Sequence, residues 1–140
     1  MAGMVSETVR VMGGERVLGR RVRVMDDLRR AVIEGLPVAA LAELVRHVGR
    51  PELRYRVVPK ATLHRRKTKL SLEESERLER LARITALAEH VWENAEHART
   101  FLTSTQAQLG GETPLDMART DLGAREVEEL LWKIEYSLPV

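Results

Sequence analysis

The sequence predicts an all-α protein: an N-terminal helix-turn-helix part followed by a small helical C-terminal domain. Three observations predict it. Apolar residues recur at steps of three and four along most of the chain, the period of an amphipathic helix. Glycines and prolines cut residues 35–67 into short pieces, the spacing of a helix-turn-helix. Charge is divided between the halves: residues 1–70 hold 16 Lys/Arg against 7 Asp/Glu, while residues 71–140 hold 7 against 14. The balances are +9 and −7, hidden in a net charge of +2. Such asymmetry points to two different partners. The basic half suits a polyanion, and nucleic acid is the commonest one.

Residues 1–23 read as an N-terminal arm, with a short helix over Glu7–Met12, a turn at Gly13-Gly14 and an irregular basic stretch. Only Arg20–Val24 has any alternation suggestive of a strand. From Met25 a helix sets Leu28, Val32 and Ile33 on one side, and Gly35 ends it. Pro37 suits the first position of the next helix, whose Leu41, Leu44, Val45 and Val48 share a face. Gly49 stops that helix. Pro51 opens a short one with Leu53, Tyr55 and Val57, Pro59 breaks it, and a last piece covers about Lys60–Lys67. Residues 24–69 therefore form the helix-turn-helix region.

The piece KATLHRRK is short, polar and basic, with Leu63 as its apolar anchor. A recognition helix needs one side chain on the core and the rest free. Lys60, Thr62, His64 and Arg65 are expected to face a major groove, and Lys67 and Lys69 to touch phosphates.

Residues 70–140 form the second domain. Ser71 and Glu74 make a capping box. The long helix that follows carries Leu78, Leu81, Thr85, Ala88 and Val91/Trp92 as a stripe. Asn94 caps a helix that buries Ala98, Phe101 and Leu102, and STQAQLGGE is a loop turning at Gly110-Gly111. Thr113 caps a short helix with Pro114 at its first position. The last helix begins near Asp121, with Val127, Leu130, Leu131, Ile134 and Leu138 inward. Trp132 and Tyr136 stand one turn apart, off that stripe, with Arg125, Glu128 and Glu129 nearby. Large aromatics off a core stripe are candidate contacts for another protein.

No catalytic constellation is visible, so the chain is not expected to be an enzyme or to need a cofactor. There are no cysteines, which excludes disulfides and thiolate metal sites. His90, Glu93 and His97 have ligand-like spacing, but the helix break at Asn94 divides them. No apolar run is long enough for a membrane helix, and the start MAGMVSETVR lacks the pattern of a signal peptide. A cytoplasmic location is expected.

With these residues in hand, the sequence resembles the Xre/MbcA/ParS antitoxin family over about residues 24–140. GLPVAAL (35–41), VVPKATLHRRK (57–67), LSLEESERLERLARITALAEHVW (70–92) and LGGETPLDMARTDLGAREVEELLWKIEY (109–136) carry the resemblance, in the family's order. The one departure is PELRYRVV, where Tyr55 and Arg56 stand in place of apolar residues.

The resemblance implies an antitoxin with an Xre-like helix-turn-helix and a C-terminal toxin-binding domain. It implies a RES-domain toxin that depletes NAD, and an operator that the antitoxin represses. The toxin contacts expected on this reading are Arg125, Glu128, Glu129, Trp132, Glu135 and Tyr136, with Leu138 and Val140 of the tail. The acidic members suit the electropositive pocket of an enzyme that accepts anionic NAD. A homodimer is expected from the pairing of helix-turn-helix units with palindromic sites. The alternative is a stand-alone regulator of the same architecture without a toxin partner.

Overall fold

Ser71 begins the helix around which the chain is organised. Its hydroxyl accepts from the Glu74 backbone N–H at 3.2 Å, and the Glu74 carboxylate accepts from the Ser71 N–H at 2.8 Å. This capping box satisfies donors that a helix start otherwise leaves unpaired. The helix then runs over Leu72–Trp92.

In chain order the elements of this computed structural model are α1 (Ala2–Val11), α2 (Gly14–Leu18), α3 (Met25–Glu34), α4 (Val38–Val48), α5 (Arg54–Val57), α6 (Lys60–Leu63), α7 (Leu72–Trp92), α8 (Ala95–Thr103), α9 (Pro114–Met117) and α10 (Asp121–Glu135). Single 3-10 turns precede α5 (Pro51–Leu53) and α9 (Ala107–Leu109). The structure describes residues 2–66 and 68–137. Among them the fold is all-α. Its β pairing is confined to two isolated bridges, Pro37–Lys69 and Gln106–Glu112. No described helix is long and apolar enough to cross a membrane.

Leu78, Leu81, Thr85 and Ala88 are buried as the stripe requires, and so are Ile84, Ala86 and Leu87 beside them. Helix α7 is covered on several sides because α1, α3, α8 and α10 all pack against it. Each fully buried Leu or Ile contributes roughly 1.5–3 kcal/mol, so this helix carries much of the core. Trp92 differs from the expectation. It is 37% exposed and leans on Phe101, with ring centroids 6.0 Å apart. The last turn of α7 runs past the core before Glu93, at φ 51, turns the chain. Asn94 then caps α8, its side chain accepting from the His97 N–H at 2.9 Å.

The first helix also differs. It spans Ala2–Val11 rather than Glu7–Met12, and Val5, Thr8, Val9, Val11 and Met12 are buried. Packing along α7 outweighs the weak helix preference of Gly3 and Ser6. Arg10 reaches Glu89 of α7 at 2.8 Å, and His47 of α4 meets the same carboxylate at 3.0 Å. Burial alone would raise the Glu89 pKa, but the His47 and Arg10 hydrogen bonds outweigh it and hold the carboxyl below its ordinary range. Residues 20–24 are not a strand. The Glu15 carboxylate gathers them by accepting from the Val22 N–H at 2.9 Å and from Arg23 Nε at 2.7 Å.

Candidate nucleic-acid and protein interfaces

The basic segment after Pro59 forms a single turn of helix, α6, and not a helix through Lys67. The chain leaves helical geometry after Leu63. Arg65 and Arg66 close turns on Thr62 and Leu63 (N···O 2.9 and 3.1 Å). The reason lies just beyond, where residues 68–70 pair with residues 36–38. The Val38 N–H donates to the Thr68 carbonyl at 2.9 Å, and the Leu70 N–H donates to the Leu36 carbonyl at 2.8 Å. A longer α6 could not deliver the chain to this bridge. Gly35, at φ 99, makes the close approach possible, since a Cβ there would sit 2.6 Å from the Leu70 carbonyl oxygen.

Two anchors hold the turn. Leu63 packs half-buried against the core. Arg66 places its Nε 2.8 Å from Glu74, the capping-box carboxylate, whose side chain is only 5% exposed. Burial opposes ionisation of Glu74, but Arg66 and the Ser71 N–H and hydroxyl hold its pKa below the ordinary range. The same carboxylate thus starts α7 and fixes the end of the basic segment. Sequence reading found the capping box and missed this second role, because eight residues of spacing say nothing about a turn back.

Around these anchors Lys60, His64, Arg65 and Lys69 are exposed, and Thr62 is half-buried. Lys67 lies outside the described residues. The Lys60 ammonium sits 6.0 Å from the Tyr55 ring centre, so the exposed tyrosine of α5 steadies the first residue of α6. Arg56, the other departure, pairs with Asp116 of α9. Both polar substitutions in α5 therefore have structural partners.

The second surface lies on α10, which begins at Thr120. Its hydroxyl accepts from the Gly123 N–H at 2.9 Å. Arg125, Glu129, Trp132 and Tyr136 follow at steps of four, three and four, along one stripe. Trp132 and Tyr136 stack at 5.7 Å with their planes 15° apart. Trp132 is half-buried and Tyr136 is 62% exposed. His90 of α7 packs edge-on to Trp132 at 6.1 Å and pairs with Glu135 at 3.0 Å. Leu138 and Val140 lie outside the described residues. Beside the stripe, α10 and the 104–112 loop enclose a groove of about 480 Å³ lined by Ala107, Leu109, Glu126, Glu129, Leu130 and Lys133. The loop's contribution could not be read from sequence, since it depends on the Gln106–Glu112 bridge.

Glu128 faces inward, unlike its neighbours. It accepts from Arg83 at 2.9 Å, and Glu79 and Asp121 lie 3.3 and 3.6 Å from the same guanidinium. Burial raises the pKa of both Glu79 and Glu128, more than Arg83 lowers it, and neighbouring carboxylates add to the rise. Both groups bind a proton more tightly in the folded chain than in the unfolded one. Stability should therefore fall as pH rises from the ordinary carboxylate range through these raised values. Glu79→Gln should flatten that fall and leave the chain at least as stable at neutral pH. Thermal melts between about pH 4 and pH 7 would check it.

Comparison with known proteins follows the same division. Residues 27–83 match the Antitoxin Xre-like helix-turn-helix domain. Residues 87–136 match the Antitoxin Xre/MbcA/ParS C-terminal toxin-binding domain. The two matches meet inside α7. Over 94% of its length the chain is 31% identical to a protein named Antitoxin Xre from Pseudomonas putida, covering 90% of that relative.

Proposed function

Because the chain belongs to the Xre antitoxin family, whose members are toxin-binding, DNA-binding regulators and not enzymes, we propose that it neutralises a RES-domain toxin that degrades NAD and represses its own operon in the cytoplasm. The observation that carries the toxin reading is the stacked Trp132–Tyr136 pair on α10, with Trp132 half-buried against the core and Tyr136 exposed, within the match to the toxin-binding domain. Aromatic anchors bury large area with few rotatable bonds, which is why they dominate binding energy at many interfaces.

In this reading Arg125, Glu129, Trp132, Glu135 and Tyr136 meet the toxin, and the tail from Ser137 through Leu138 to Val140 enters its active-site cleft. Glu128 supports the face through Arg83. Lys60, Thr62, His64 and Arg65 read the operator's major groove, and Lys67 and Lys69 hold its phosphates. Two copies bind a palindromic operator.

The test is co-expression with the protein encoded by the neighbouring gene, followed by pull-down and a survival assay. Removing residues 135–140 should abolish protection while leaving the melting temperature and operator binding close to wild type. Full protection by this truncated, folded chain would overturn the tail mechanism. A neighbouring protein that neither binds the chain nor consumes NAD would favour the stand-alone regulator.

A further inference from the structure

Arginines from three parts of the chain meet around a small cavity beside α7. The cavity holds about 80 Å³ and is lined by Arg56 of α5, Arg77 and Arg80 of α7, and Arg119 just past α9. Leu81 and Leu115 form its buried floor. No carboxylate is among its lining residues. Arg56 and Arg119 are exposed, and Arg77 and Arg80 are half-buried.

The fold holds these guanidiniums in place. Arg77 Nε donates to the Val57 carbonyl at 2.9 Å, at the end of α5. Arg80 Nη1 donates to the Arg119 carbonyl at 3.2 Å. Arg56 pairs with Asp116, and Arg119 stands 3.7 Å from the same carboxylate. A guanidinium carries more N–H donors than these contacts use. Asp116 is the one carboxylate paired with the cluster among the described residues, where Arg77 and Arg80 have no ion-pair partner. Glu73 and Glu76, one turn earlier on α7, are exposed and pair with neither. Glu79 is engaged by Arg83 at 3.3 Å. Beyond Arg56, Glu52 shares the adjoining hollow with Arg50. Like charges gathered in this way repel one another, and an anion among them relieves the repulsion.

We propose that this cavity binds a phosphate group. A water molecule takes roughly 30 Å³, so the space suits a small oxyanion and not a peptide or a nucleobase. Arginine forks match phosphate oxygens in pairs. Guanidiniums arriving from α5, α7 and the end of α9 suit a tetrahedral anion, which offers oxygens on several sides. A carboxylate satisfies one fork, and Asp116 already supplies that to Arg56. The phosphate comes either free in solution or on the backbone of bound DNA, and the same donors serve both. The site uses none of the residues assigned above to operator or toxin. It draws on both matched regions, with Arg56, Arg77 and Arg80 in 27–83 and Arg119 in 87–136.

The test is isothermal titration and thermal melting of the full chain with pyrophosphate, set against chloride at equal ionic strength, beside band shifts with operator DNA. Pyrophosphate should raise the melting temperature more than chloride does. Arg77→Gln and Arg119→Gln should each weaken pyrophosphate binding at least about tenfold, the loss of a charge-assisted hydrogen bond. Arg119 is exposed, so its result stands even if the Arg77 variant fails to fold. If Arg119→Gln also weakens operator binding and lowers its salt slope by about one, the phosphate belongs to DNA. Unchanged operator binding assigns the site to a free phosphate. A wild type that gains no more from pyrophosphate than from chloride overturns the site. So does a folded Arg119→Gln chain with wild-type pyrophosphate affinity, and Arg77 and Arg80 then serve only to cap the ends of α5 and α9.

Discussion

Glu74→Ala should weaken operator binding, although it removes a negative charge from beside the basic segment. By charge alone the variant should bind DNA more tightly. The structure predicts the opposite sign, because Glu74 is the buried acceptor for Arg66, for the Ser71 N–H and for the start of α7. Truncation leaves Arg66 half-buried without its carboxylate and frees the turn that carries His64 and Arg65. The chain should also melt at a lower temperature, since the Arg66 guanidinium and the Ser71 N–H both lose their acceptor. The folded pKa of Glu74 is depressed, so its contribution is present above the unfolded value and is lost as pH falls through the folded one. Glu74→Gln should therefore lose most of the difference in stability that wild type shows between neutral and acid pH at this group. Band shifts beside thermal melts check both statements. Tighter operator binding by a folded Glu74→Ala chain would contradict the anchoring role.

Gly123→Ala should unfold or strongly destabilise the C-terminal domain. Glycine to alanine in an exposed helix normally gains up to about 1 kcal/mol. Here the sign reverses. A Cβ at this position would stand 1.8 Å from the Met117 carbonyl oxygen and 3.1 Å from Thr120 Oγ1. The neighbour is backbone, so it cannot rotate away, and α9 and α10 must separate. The expected loss is about 3 kcal/mol or more, a fall in melting temperature of roughly 10 °C. Toxin protection should fail with it, since α10 carries the aromatic stripe. An alanine variant that melts at or above wild type would show that the close approach of α9 to α10 is not required.

The sequence made legible whatever depends on local chemistry. The Ser71 capping box, the Asn94 and Thr113 caps and the apolar stripe of α7 all follow from spacing and side-chain type, and each is present. The elements that escaped it depend on contacts distant along the chain. Helix α1 extends to Ala2 because α7 supplies a surface for Val5 and Val9. Helix α6 stops at Leu63 because the chain must reach the Pro37–Lys69 bridge. Glu128 has the spacing of a surface residue and faces Arg83 because of where α7 lies. The charges that hold the α6 turn and α10 in place, Arg66–Glu74 and Arg83–Glu128, were not visible in one dimension.

The meeting of the two family matches within α7 bears on how the halves communicate. The basic α6 turn is anchored at Glu74, and α10 packs on the same helix, where Glu128 accepts from Arg83. One rigid helix positions both faces, so each can be removed by surface mutation without dismantling the other.

The central claim is that the α6 turn contacts DNA and the outer stripe of α10 contacts toxin. It is tested most directly by measuring both affinities on two variants, Lys60→Ala/Arg65→Ala and Trp132→Ala/Tyr136→Ala. The first should lose at least about tenfold in operator affinity and bind the neighbouring toxin as wild type does. The second should lose about 2 kcal/mol or more in toxin affinity and keep its operator affinity. Wild-type toxin binding by a folded chain lacking both aromatics would contradict the claim.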